Sequence, residues 1–336
     1  MDDKVKLLPP QENSSNHPAL QAWGQLNPGP FELVEISVLK KRFKSTLYRI
    51  DGLGPTCPSL VAKYCRREVA VRERLIYEHI LPSLPVTFPR YLGFVEGNDG
   101  YDWLFLEYVQ GEQYSRERHD HSVLAGTWLG MLHASAAHAV ISVHPPDLGP
   151  QHYLVLLQNS RGKFRCSLRQ LRLLPEDLDV IRAVMTQCDF LESHWEQVER
   201  WCHRMPPTLV HGDFKPRNAV IRRTVAGAVF FPFDWEACGW GVPAEDLAYV
   251  HLPSYHSSLQ SQCLCVGMQE LQSMKALGRI FRGLSEFSWE SVKFEPNWEV
   301  STVKLRIYQD GMAEAIKMAN WESERCPSTS RQRRIS

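Results

Sequence analysis

No apolar run in this chain approaches the about 20 residues that a helix needs to cross a bilayer, so a membrane partner is not expected. The opening Met-Asp-Asp-Lys-Val-Lys-Leu-Leu-Pro-Pro has neither the apolar core nor the cleavage site of a secretory signal. Charge of one sign is also lacking: Lys+Arg and Asp+Glu stand at 38 each among 336 residues, which leaves no net field to gather nucleic acid. The nine cysteines are odd in number, scattered from Cys57 to Cys326, and include no Cys-x-x-Cys pair, which argues against a disulfide framework or a structural zinc site. His119-Asp120-His121 and the nearby His251 and His256 supply no zinc set, because residues at i and i+2 do not share a helix face. A reducing, cytoplasmic setting is the expectation. Partners must be read from sites, not from global charge.

What is present is enough apolar material, 43% of residues, for a sizeable core. Residues 1–30 carry Pro9, Pro10, Pro18, Pro28 and Pro30 among Asn, Ser and Gln, and read as an irregular N-terminal extension. Residues 326–336 read as a flexible tail. From 31 to 110 the pattern is strand-rich: runs at 31–39 and 45–50 flank a basic turn at 40–44, a third run follows at 60–64, and 91–95 with 103–109 forms a hairpin about Gly97-Asn98-Asp99-Gly100. One amphipathic helix, 67–81, interrupts the strands and ends before Pro82. Beyond Gly111 the helical period repeats over 123–137, 174–200, 271–287 and 303–321, broken by short β-like runs within 208–234. The expectation is an α+β chain, with a small antiparallel-sheet N-lobe carrying one helix over 31–110 and a larger, mainly helical C-lobe over 111–325.

Residues 211–218 read His-Gly-Asp-Phe-Lys-Pro-Arg-Asn, and fifteen residues past that Asn begins Phe233-Asp234-Trp235-Glu236. Phosphoryl transfer asks a protein to fix nucleotide, metal and nucleophile in line and to neutralise developing charge. Asp213 is placed to accept or orient the proton of an acceptor hydroxyl, and Lys215 to touch the transferred phosphate. Asn218 is placed to hold Mg2+, and Asp234 to bridge that metal to the phosphates. An Asp-x4-Asn spacing alone is often a turn or a helix cap. The preceding His211-Gly212 and the hydrophobic strand that ends in Asp234 favour the catalytic reading.

With these motifs the chain resembles the aminoglycoside phosphotransferase and choline kinase family, small-molecule relatives of the eukaryotic-type protein kinases. The segments at 211–218 and 233–236 carry most of the likeness. Gly239-Trp240-Gly241-Val242-Pro243-Ala244-Glu245-Asp246-Leu247-Ala248 is similar to the family's second acidic motif, Leu129-Gly130-Met131-Leu132-His133-Ala134 to its helix ending in Leu-His, and Leu106-Glu107-Tyr108-Val109 before Gly111 to its hinge. The resemblance implies a two-lobed protein-kinase-like fold that uses ATP as co-substrate with Mg2+. It implies that Lys63 binds the α- and β-phosphates and that a helix carboxylate, Glu73 rather than its rival Glu68, holds the ammonium. It also implies that backbone groups of Glu107 and Val109 pair with adenine, that Glu236 lies near the metal, and that Asp246 braces the catalytic loop. One departure stands out: the turn at 40–45 has no glycine, whereas protein kinases cover the phosphates with a Gly-rich loop. Lys40, Lys41, Arg42, Lys44 and Ser45 could contact phosphates by charge and hydroxyl instead, although a basic hairpin tip is often simply solvated.

The implied reaction is transfer of the γ-phosphate of Mg-ATP to a hydroxyl of a small molecule, by a monomer or homodimer. A polycationic aminoglycoside would favour an acidic groove, yet residues 241–325 hold eleven acidic against eight basic residues, only a mild excess. A choline-type ligand would need an aromatic cage, for which Trp235, Trp240, Tyr249, Trp289 and Trp298 are candidates. A second reading is a kinase acting on Ser or Thr of a peptide or protein, since Lys215 occupies the place seen in Ser/Thr kinases. Against it, no Ala-Pro-Glu-like segment follows Asp234. A third, a non-catalytic nucleotide-binding regulator, predicts losses at Lys63, Asp213, Asn218 or Asp234, and all four are present.

Overall fold

β-branched and aromatic residues recur through 35–66, in part alternating with polar ones, and through 91–107, where 103–106 is an unbroken apolar run, a composition that suits strands. In the computed structural model, which describes residues 16–29, 31, 34–42, 44–55, 57–170, 173–294, 298–319 and 321, they form five antiparallel strands. These are β1 (Glu35–Arg42), β2 (Ser45–Asp51), β3 (Ser59–Arg66), β4 (Tyr91–Val95) and β5 (Tyr101–Glu107), in the order β1-β2-β3-β5-β4. The chain packs as two compact units, 1–149 with 205–268, and 150–204 with 269–336. The boundary expected near 110 falls inside the first unit.

The N-terminal segment differs from expectation. Residues 18–26 form a helix, α1 (Pro18–Leu26), which buries Ala19, Leu20, Ala22 and Trp23 against Ile50, Leu60, Ala62, Trp103 and Phe105 of the sheet. Pro18 sits in its first turn, where a missing N–H removes no helical bond, and the His17 ring accepts from Ala19 N at 3.1 Å. Proline content therefore marked a helix start. Residues 1–15 and the expected tail at 326–336 lie outside the described residues.

Two further local expectations shift. β1 runs on to Arg42, so Lys40, Lys41 and Arg42 are strand residues and not a turn. The helix expected over 67–81 is α2 (Arg67–Leu75), continued by a π-helical turn (Ile76–Ile80) and a 3-10 turn (Leu81–Ser83) that takes Pro82 near its own start.

Short strands follow: β6 (Glu112–Gln113), β7 (Asp147–Leu148), β8 (Thr208–Val210), β9 (Ala219–Thr224), β10 (Gly227–Pro232) and β11 (Gly239–Gly241). They make two three-stranded sheets, β10-β9-β6 and β7-β11-β8. Between β6 and β7 lies α3 (His119–His138), and after β11 come α7 (Ala244–Leu247) and α8 (Leu252–Ser261). α3 packs tightly on α8 because Gly130 brings the backbones together: a Cβ there would stand 2.7 Å from Tyr255 O.

The second unit is helical: α4 (Pro150–Gln170), α5 (Pro175–Ser193), α6 (Trp195–Cys202), α9 (Met268–Lys293) and α10 (Trp298–Met318). The single stretch expected over 174–200 breaks at His194, whose φ of −112° and ψ of 18° leave the helical region. Tyr153 of α4 stacks on Phe281 of α9 at 3.7 Å between ring centroids. No helix among the described residues is long and apolar enough to cross a membrane.

Candidate active site

β3 delivers Lys63, and α2 follows β3 without a loop, which brings Glu73 back beside it. Both side chains are buried, and the Lys63 ammonium donates to Glu73 Oε1. The same ammonium donates to Asp234 Oδ1 at 2.6 Å, across 171 residues of sequence. Glu68 lies elsewhere, exposed and 3.9 Å from Arg66. Burial opposes the charge on Lys63, but Glu73, then Asp234 and Glu236, outweigh it and hold its pKa well above the usual value. Burial also works against the Asp234 carboxylate, and the Lys63 ammonium more than reverses this, so Asp234 titrates below the ordinary carboxylate range. For Glu73 burial wins over the pull of Lys63, and its pKa rises to about 7.

Asp213, Lys215 and Asn218 come from the loop after β8. Gly212 turns that loop with φ +73°, and a Cβ there would stand 2.2 Å from Ala237 O, so glycine is required. Lys215 Nζ donates to the Asp213 carboxylate. Asn218 Nδ2 donates to Asp213 O at 3.0 Å and to Asp213 Oδ2 at 2.9 Å. Asn218 O accepts from Phe233 N at 2.9 Å, which seats the catalytic loop against the residue that precedes Asp234. Asp234 itself adopts the left-handed region, φ 70° and ψ 61°, at the turn where β10 ends. The hairpin of β9 and β10 thus returns the chain from the Asp213–Asn218 loop to the turn at Asp234.

The loop is braced from beneath. The buried Asp246 carboxylate of α7 accepts from His211 N at 2.6 Å and from Gly212 N at 2.9 Å, with His133 Nε2 at 3.3 Å. His133 Nδ1 is 2.9 Å from the Tyr255 hydroxyl. Arg72 of α2 donates to Glu236 O at 2.7 Å, a tie between that helix and the turn after Asp234 that no sequence motif signalled. Tyr255 was likewise missed; its contact depends on how α8 packs, which local sequence does not encode.

Two buried oxygens test whether a metal ion fits. Among the described residues Asn218 Oδ1 and Glu73 Oε2 have no hydrogen-bond partner, and unpaired buried acceptors are rare enough to call for a cation or water. Glu73, Asp234 and Glu236 each bring an oxygen within 4.8 Å of the others. Three carboxylates face one ammonium, so the residues present fit a divalent cation.

The remaining predicted residues fall around this centre. The Glu107 amide donates to Arg90 O at 2.8 Å and the Tyr108 amide to Ser59 O at 3.3 Å. The Glu107 side chain pairs with Arg222 at 2.8 Å. Val109 is buried where the chain leaves β5. Ser45 pairs with Cys65 in register, two positions from Leu47, the residue opposite Lys63. Trp235 is fully buried, its ring 4.5 Å from that of His211, so it is packing and not a cage wall.

Sequence comparison settles the lineage: the profile of the Phosphotransferase enzyme family matches residues 49–272, about two thirds of the chain and every residue of this centre except Ser45. The chain belongs to this family. It is a phosphotransferase acting on an alcohol group. A comparison with curated proteins found no match. Among solved structures the chain is similar to the GDP and kanamycin complex of the aminoglycoside phosphotransferase APH(2")-IIia, at 16% identity and a TM-score of 0.61, covering 88% of this chain and 98% of that one. It is also similar to choline kinase from Cryptosporidium parvum Iowa II, at 12% identity and a TM-score of 0.57, covering 87% and 90%. A third is Plasmodium vivax ethanolamine kinase, at 13% and 0.55, covering 86% and 83%. At these identities the likeness is one of fold: antiparallel sheet plus helical portion, the protein-kinase-like architecture.

Proposed function

We propose that this family member transfers the γ-phosphate of Mg-ATP to a hydroxyl of a small molecule, in the cytoplasm. The observation that carries the reading is the meeting of Lys63, Glu73 and Asp234 beside a catalytic loop whose Asn218 keeps one buried oxygen unpaired. A bound Mg2+ would neutralise charge on the phosphate oxygens, with Asn218 Oδ1, Asp234 and Glu236 to hold it. Lys63 would hold the α- and β-phosphates, fixed in aim by Glu73. The Glu107 carbonyl remains for the nucleobase, since its amide is engaged.

In the transfer the acceptor oxygen forms a bond to the γ-phosphorus, the bond to the β-phosphate oxygen breaks, and ADP leaves. Asp213 takes the hydroxyl proton. Lys215, which pairs with Asp213 in this structure, would swing to the transferred phosphate as its charge develops.

The test is ADP release against a panel of aminoglycosides, amino alcohols including choline and ethanolamine, sugars, and a Ser/Thr peptide library. Wild-type protein is expected to turn over at least one small alcohol. Asp213→Asn should lower that rate by a factor of roughly 10^2–10^4 while ATP still raises the melting temperature. Normal turnover by Asp213→Asn would refute the assigned base, and turnover confined to peptides would select a protein kinase.

A further inference from the structure

The sheet carries an unexplained cation. β1 and β2 pair regularly from Glu35↔Asp51 to Val38↔Tyr48, then the register slips, so that Lys40 lies opposite Leu47. Leu39 is the extra residue of a bulge, and a one-residue slip reverses which face each later side chain takes. Without it Lys40 would share the face of Ile36 and Val38, the face that packs on α1. With it, Lys40 joins the row Lys40, Leu47, Lys63, because Leu47 lies opposite Lys63. Two strand spacings put the backbones of Lys40 and Lys63 about 10 Å apart, within reach of one polyphosphate. Lys41, opposite Thr46, takes the α1 face.

Lys40 is partly buried, and its ammonium makes no hydrogen bond or ion pair among the described residues. Burial lowers its pKa; the Asp234 carboxylate raises it, while Arg42, Arg217 and Lys63 lower it further. Three cations against one near carboxylate leave a half-buried ammonium short of negative charge, an arrangement that an anion relieves. Arg217 belongs to the catalytic loop, in the 3-10 turn Pro216–Asn218.

We propose that the bulge at Leu39 aims Lys40 at the terminal phosphates of the bound nucleotide, so that a side-chain cation does here what glycine-loop amides do in protein kinases. This rests on the nucleotide reading above and deepens it. The occupant is a nucleoside di- or triphosphate; a nucleoside without phosphates gains nothing from Lys40.

Binding of ATP, ADP and adenosine by calorimetry, with wild type, Lys40→Ala, Lys40→Arg and Lys41→Ala, tests the idea without turnover. Loss of one charge-assisted contact should weaken ATP and ADP by about 10- to 100-fold and leave adenosine unchanged. Lys40→Arg should recover most of the affinity. Equal ATP affinity in wild type and Lys40→Ala overturns the inference alone, and so does an equal loss in Lys41→Ala, which would indicate diffuse surface charge. Parallel weakening of adenosine would mean that Lys40 only supports the sheet. A wild type that binds neither ATP nor ADP overturns the nucleotide reading and this inference with it.

Discussion

Lys63→Met tests the central ion cluster most directly. Lys63 has 3% exposure and Glu73 none, so removing the ammonium leaves a carboxylate buried without its counter-charge. Breaking a buried pair by deleting one partner costs about 3–5 kcal/mol. Glu73 softens this by taking up a proton: its pKa stands at about 7 with Lys63 present and must rise when that attraction is lost. Asp234, with 19% side-chain exposure, can turn to water. The lower end, about 3 kcal/mol, is therefore expected, which for a unit of this size lowers the melting temperature by about 6–12 °C. The double variant Lys63→Met with Glu73→Leu replaces the pair by apolar groups and should regain most of that stability. Neither variant should phosphorylate an acceptor. Melting curves for wild type, both single variants and the double variant measure the coupling. If Lys63→Met melts with wild type, or if the two changes simply add, the ion pair does not hold this part of the protein together.

Three further outcomes follow from the same geometry. Asp246→Asn leaves the His211 and Gly212 amides without an anionic acceptor, which should destabilise by about 1.5–3 kcal/mol and reduce kcat more than nucleotide affinity; an unchanged kcat would show that the brace is dispensable. Gly212→Ala forces a side chain into positive φ and against Ala237 O, and should cost at least about 2 kcal/mol in a denaturant titration. In the metal-free protein Glu73 titrates at about 7 when folded, against an ordinary 4.5. The folded state then binds more protons between those values, so this residue's contribution makes stability fall as pH rises through that interval. Glu73→Gln should flatten the decline, as denaturant midpoints at pH 5 and pH 7.5 would reveal.

The octapeptide at 211–218 was legible as a candidate loop because phosphoryl transfer calls for base, cation and amide close together, and residues so close in sequence stay close in space. The hairpin was legible for a similar reason: two apolar, aromatic-rich runs at 91–95 and 103–109 with the Gly-Asn-Asp-Gly turn between them encode it locally. α1 was not, since its prolines suggested irregular chain, and only burial of Trp23 and Leu20 on the sheet stabilises a helix of nine residues. The resemblance favoured Glu73 over Glu68, but both lie on one short helix and its rotation decides which carboxylate enters.

The sequence alone determined which groups are candidates for the chemistry, since those of 211–218, and likewise those of 233–236, are held together by covalent neighbourhood. Tertiary structure alone decided the electrostatics: that Lys63 bridges Glu73 and Asp234, and that a single extra residue in β1 turns Lys40 onto the same face. Such contacts join positions far apart along the chain or hinge on strand register. Both are settled by packing, which no local pattern specifies.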